Sequence, residues 1–132
     1  MLGEPMGVTG KYWLSNTHAI DAGLGLSFTN YTALLSDFLW HAPTAFSNPE
    51  FVPYLGVGAI ALFNNSTANR RGFFNNDSGT HDFAFAVRIP LGAEYLPHKV
   101  PLGIFAEIVP GLGIIPGIFG LIEAETGARF YF

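Results

Sequence analysis

The sequence contains no cysteine, which excludes disulfides, thiol catalysis and cysteine-ligated metal. Charge is scarce too: Asp, Glu, Lys and Arg make up 12% of the chain, about half the ~25% usual for a soluble domain. The net charge is −4 with no basic run, so the footprint of a nucleic-acid binder is missing. No N-terminal stretch combines a basic start, an apolar core and a cleavage site. If the protein is exported, its leader is expected upstream or already removed. A helical membrane span is also lacking. The most apolar window, Val100 to Ile122, carries Pro101, Pro110, Pro116, five glycines and Glu107. A helix there would lose backbone hydrogen bonds repeatedly in lipid.

What is abundant points elsewhere. Aromatics reach 15%, and glycine and proline together fill 25 of 132 positions. High apolar and aromatic content excludes generic disorder, while glycine and proline disfavour helix. The length fits one domain over residues 1–132, all-β, with one core or one closed barrel.

Hydropathy alternates with period two. Over Ala19–Phe28, Ile20, Ala22, Leu24, Leu26 and Phe28 oppose Ala19, Asp21, Gly23, Gly25 and Ser27. Phe83–Tyr95 and Leu102–Ile108 repeat the pattern, as does the last strand from about Ile118 to Phe132. Met6–Leu14, Thr32–His41 and Phe51–Phe63 complete seven predicted strands. One face is apolar; the other mixes small residues with isolated charges. A soluble sandwich or lipocalin-like barrel would bury the apolar face, whereas a membrane barrel turns it to lipid. Runs of 10 to 13 residues match the ~9–11 of a tilted bilayer-spanning strand. A polar face built from Gly and Ala, with few Lys, Thr or Glu, also favours the inverted arrangement.

Connections are expected at Ser15–His18, Thr29–Tyr31, Ala42–Glu50, Leu96–Pro101 and Val109–Gly117, with the longest at Asn64–His81. Seven strands conflict with the even number of bacterial single-chain barrels. An additional strand before Pro5 would restore parity, with MLGEP as its tail and turn.

The segments GKYWLSNTHAIDAGLG, DFLWH, VRIPLGAEYLP and FAEIVPG, with the final strand, carry a resemblance that covers nearly the whole chain. The sequence resembles small outer-membrane β-barrels of the eight-stranded OmpA/OmpX-like superfamily, within a group of short bacterial barrels of unknown role. That resemblance implies an antiparallel up-and-down transmembrane barrel in the bacterial outer membrane. Its implied partners are outer-membrane lipid and the barrel-assembly machinery. It also implies an assembly signal, matched in register by Glu125, Gly127, Phe130 and Phe132.

Among candidate site residues, Asp21, Asp37, Arg88, Glu94, Glu107, Glu123 and Arg129 alternate onto the proposed inner face. Buried charges need partners, and an eight-stranded lumen is just wide enough to be filled by side chains. An interior ion-pair plug is the expectation. His18, His41, His81 and His98 fall at predicted strand ends without ligand spacing, so solvated or interfacial positions are expected and no metal or cofactor. Ser15 and Ser36 lack a hydrolase-like partner. GLGIIPG lacks the Lys-Ser/Thr ending of a phosphate loop and reads as a turn. Arg70 and Arg71 read as solvated, and the Asn-X-Ser/Thr matches at Asn30, Asn64, Asn65 and Asn76 carry no weight alone. Trp13, Trp40 and tyrosines near strand ends suggest an aromatic girdle. The expected role is a non-enzymatic, monomeric barrel with a structural or surface-interaction function. The alternatives are a barrel binding a lipophilic ligand and a lipid-A-modifying enzyme.

Overall fold

The computed structural model describes residues 6–26, 31–64, 83–115 and 117–132. They form eight strands: β1 (Met6–Trp13), β2 (His18–Leu26), β3 (Tyr31–His41), β4 (Phe51–Asn64), β5 (Phe83–Arg88), β6 (Leu91–Tyr95), β7 (Leu102–Ile115) and β8 (Phe119–Tyr131). All eight belong to one sheet, and no helix occurs among the described residues. Residues 1–5, Asn30, Asn65, Arg70, Arg71, Asn76 and His81 lie outside the described residues.

Strands β1 to β4 pair in succession, antiparallel. Both β5 and β6 pair with β4 on one side and β7 on the other. Next, β7 pairs with β8, and β8 returns to β1, so the sheet is ring-like. Strands β5 and β6 lie end to end and share one position. The single strand expected over Phe83–Tyr95 is therefore interrupted, because Pro90 has no N–H to give to a ladder. Two bonds stitch the gap: Gly56 N–H donates to Pro90 O at 2.8 Å, and Ile89 N–H to Pro110 O at 2.9 Å. Gly56 permits this approach, since a Cβ there would stand 2.6 Å from Leu39 Cδ2 and 2.8 Å from Pro90 Cγ.

Beyond Ile108 the structure corrects the sequence reading. The connection expected from Val109 is strand, with β7 continuing to Ile115 and pairing with β8 through Gly113–Phe119. Pro110 fits because its carbonyl, and hence its donorless nitrogen, faces the gap between β5 and β6. The additional strand expected before Pro5 lies outside the described residues. Seven positions close the ring by direct β1–β8 pairing, which an odd count makes parallel. That seam has two register pairs, Gly10–Phe130 and Lys11–Tyr131, against twelve between β7 and β8. Bonds from Phe132 N–H to Lys11 O (2.9 Å) and from Trp13 N–H to Phe132 O (3.0 Å) extend it.

The two faces of the ring are inverted relative to a soluble protein. Outward positions include Val8, Ile20, Leu24, Leu34, Leu55, Ile104, Ile108, Ile122 and Phe130, all exposed. No Asp, Glu, Lys or Arg occupies the outward face of any described strand. Inside lie Lys11, Asp21, Asp37, Arg88, Glu94, Glu107, Glu123, Glu125 and Arg129, each at most 8% exposed. Those nine are more than half of the chain's 16 formally charged residues. Tyr12, Trp40, Phe51, Tyr95 and Phe130 form an outward aromatic band at the end where β1 finishes. Trp13 is not part of it. Alternation puts Trp13 on the same face as Lys11, where its ring meets His41 at a centroid distance of 4.5 Å.

Candidate functional site

The interior is built by period-two alternation, which sends every second side chain of each strand inward. This places all seven predicted network residues in one lumen, together with Lys11, His41, Tyr54 and Glu125. They fall into three groups along the ring axis. Nearest the β1–β2 turn, Lys11 Nζ is salt-bridged to Glu94 Oε2 and lies 3.4 Å from His41 Nε2. Its ammonium also lies 4.4 Å from the Trp13 ring centroid. Next, Arg129 Nη1 stands 2.7 Å from Asp21 Oδ2 and Nη2 3.4 Å from Glu107 Oε2, with its guanidinium 3.7 Å from the Phe105 ring. The Tyr54 hydroxyl donates to the same Glu107 oxygen. Deeper still, Arg88 meets four carboxylates: Asp37 and Glu125 at 3.2 Å, Glu107 at 3.5 Å and Glu123 at 3.7 Å.

Register explains why the cations must reach across the lumen. Asp21 sits directly opposite Asp37 between β2 and β3, and Glu107 opposite Glu125 between β7 and β8. Like charges facing each other on adjacent strands repel. The arginines offset this from strands two positions away, Arg88 on β5 reaching β3 and β8, and Arg129 on β8 reaching β2. Small residues leave room for the carboxylates. A Cβ on Gly58 would stand 2.0 Å from Asp37 Oδ1, and one on Gly103 2.5 Å from Glu94 Oε1.

The other half of the lumen is apolar. Tyr31, Ala33, Leu35, Ile60, Leu62, Ala84, Ala86 and Leu121 pack together, with Phe119 against them. The interior is therefore charged toward one end and closed by hydrocarbon toward the other.

At the charged end, the connections after β1, β3 and β6 surround a cavity of about 620 Å³, whose lining includes Trp13, Asn16, Pro43, Pro49, His98 and Tyr131. Glu50 ties two of these connections together on the rim. Its Oε1 lies 3.0 Å from His98 Nδ1, its Oε2 accepts from Tyr95 OH at 2.9 Å, and its carbonyl accepts from Leu96 N–H at 2.7 Å. The bonds from His98, and then Tyr95, hold the Glu50 carboxyl below the usual carboxylate range.

The structure changes several of the sequence expectations. His41 is neither solvated nor interfacial: it is 5% exposed, wedged between Lys11 and the rings of Trp13 and Tyr54. Its alternation with Asp37 and Leu39 is the signal for an inward position. Lys11 is absent from the expected network although it shares a face with Thr9 and Trp13. Glu125, expected as part of an assembly signal, points inward to Arg88, while Phe130 and Phe132 point outward. Ser15 does have a histidine partner, its Oγ lying 3.0 Å from His18 Nδ1. That hydroxyl also accepts from the N–H groups of Thr17 and His18, at 3.3 and 3.1 Å, which marks it as a turn cap. No carboxylate pairs with His18 among the described residues. His98 sits on the rim, exposed. No group of three or more metal-ligating side chains converges among the described residues, and they hold no helix long and apolar enough to cross a membrane, which says nothing of strands.

Such an arrangement can hold charge in place by mutual pairing and can close the lumen, while a roomy space remains at the charged mouth. Compared with known proteins, the chain matches no family model, no curated protein and no solved structure.

Proposed function

We propose that the protein is a small, non-enzymatic outer-membrane β-barrel of the OmpA/OmpX-like kind, with a structural or surface-interaction role and an ion-paired, plugged interior. One observation carries this reading: nine charged side chains face inward while no described strand carries a charge outward. In water that inversion would expose a continuous apolar wall far larger than the ~300–600 Å² patch of an ordinary soluble monomer. In lipid it places hydrocarbon against hydrocarbon and leaves the charges to pair within. The ring-like sheet supplies the remaining requirement, because backbone groups in lipid must be satisfied within the protein. Outward aromatics Tyr12, Trp40, Phe51, Tyr95 and Phe130 suit a membrane–water boundary. Outer-membrane lipid and the barrel-assembly machinery are the partners this reading entails, with Glu125, Gly127, Phe130 and Phe132 as the assembly signal.

A soluble barrel for lipophilic ligands would need the reverse lining, an apolar lumen under a polar exterior. Refolding in detergent followed by gel migration with and without boiling tests the proposal. Different mobilities before and after boiling are expected. Identical migration together with stable folding in plain buffer would overturn it.

A further inference from the structure

The mouth cavity is a feature that the plug does not account for. Its volume of about 620 Å³ lies within the ~300–1,000 Å³ of small-molecule sites. Three connections and the last strand converge on it, so its walls come from parts of the chain far apart in sequence. Those walls are flat and stiff: the rings of Trp13 and Tyr131 with Pro43 and Pro49. Tyr131 is fixed in place, because its hydroxyl donates to Val100 O at 2.9 Å.

Charge decides the ligand class. Among the described residues, no Asp, Glu, Lys or Arg lines the cavity. Of the described charges near it, Lys11 is paired with Glu94 and Glu50 lies against His98 on the rim, while exposed Lys99, next to His98 in the chain, is not part of the lining. An ionic ligand would lose hydration and find no Asp, Glu, Lys or Arg in the lining to replace it. Yet the surroundings are not purely apolar. Asn16 and Ser15 stand at one side, and His98 presents Nε2, since its Nδ1 faces Glu50. Flat aromatic walls, neutral polar groups and absent net charge together describe one class of molecule.

We infer that this cavity binds an uncharged saccharide of one or two rings, stacked against Trp13 and Tyr131 and hydrogen-bonded by Asn16 and His98. The site uses only the mouth of the ring, so it stands or falls independently of whether the outer wall meets lipid.

The test uses the full chain refolded in dodecylphosphocholine, a detergent without a sugar headgroup, with Trp40→Phe leaving Trp13 as the only tryptophan. Maltose and N,N′-diacetylchitobiose are titrated against Trp13 fluorescence, beside glucosamine, glucuronate and decanol. Saturable binding of at least one neutral saccharide is expected, with the charged sugars about tenfold weaker or worse. Tyr131→Leu should weaken binding about tenfold, and Asn16→Ala, on an exposed turn, about threefold to tenfold. Gel migration before and after boiling checks that each variant is folded. No saturable response to either neutral saccharide would overturn the inference. So would equal affinity for the charged sugars, a response to decanol alone, or unchanged binding in folded Asn16→Ala and Tyr131→Leu.

Discussion

The two halves of the lumen face the same packing problem and solve it with opposite chemistry. Around Ile60, Leu62, Ala84 and Leu121 the space is filled by hydrocarbon, whose attractions are non-directional and tolerate small rearrangements. Around Arg88 and Arg129 it is filled by groups that must meet at hydrogen-bond distance from opposite walls. Hydrocarbon loses in proportion to the atoms removed. A charge network fails as a unit, because removing one member leaves the others buried and unpaired. The difference teaches that the charged half specifies how the ring closes, while the apolar half mainly fills it.

The largest effect that would sharpen this contrast is expected at Arg88. Arg88→Met leaves four carboxylates around an uncharged side chain and should cost about 3–5 kcal/mol, or abolish folding, in urea titrations of the refolded protein. Adding Glu123→Gln and Glu125→Gln to that variant should recover a large part of the loss. If the triple variant is no better than the single one, charge pairing is not what holds this half together. In the apolar half, Ile60→Ala should cost about 2–4 kcal/mol in the same titration, with no rescue available from any charge substitution. A smaller effect, about 1–3 kcal/mol, is expected for Gly58→Ala, whose methyl group would displace Asp37 from Arg88. An Asp37→Ala background should absorb only the part of that penalty owed to the carboxylate, because the Ser36 carbonyl oxygen at 2.4 Å and Asp37 Cα at 2.7 Å stay in the way; a double-mutant cycle reads the difference.

The smallest effect concerns the rim, where charge is wet. Glu50 titrates below the ordinary carboxylate value of 4.5, so its tie to His98 and Tyr95 is complete above that value. Because the folded-state value is the depressed one, the contribution fades as pH falls through it. An NMR titration of the Glu50 side-chain carbonyl should report a midpoint below 4.5, moving back toward the ordinary range in Tyr95→Phe. Glu50→Gln should leave global stability unchanged within error, as expected for an exposed pair. A large loss of stability in Glu50→Gln would blur the distinction between the buried network and the rim.

Much of the interior is legible in the sequence alone. Period-two alternation separates Asp21, Asp37, Arg88, Glu94, Glu107, Glu123 and Arg129 from their apolar neighbours, and all seven lie within the lumen. Lys11 and His41 obey the same alternation but sit near strand ends, where a side chain can equally meet water. Their burial depends on Glu94, which is remote from both in sequence. The break at Pro90 is legible as chemistry, a missing donor, but not as a consequence, since Gly56 and Pro110 supply the bonds around it. The Val109–Gly117 stretch misleads for a related reason: its prolines and glycines look like a turn until β8 is known to run beside it.

By itself, then, the sequence determined which side chains share a face, because alternation is a local property of the extended backbone. It also determined that one face of the strands is apolar while the other carries the charges. Only the tertiary structure decided which carboxylate meets which cation, since Glu107 is met from adjacent strands, the other pairs bridge strands two or three positions apart, and all depend on register around the ring. The same holds for the seam between β1 and β8 and for the cavity at the mouth. Both are made where distant segments converge, and no local pattern encodes a distance between them.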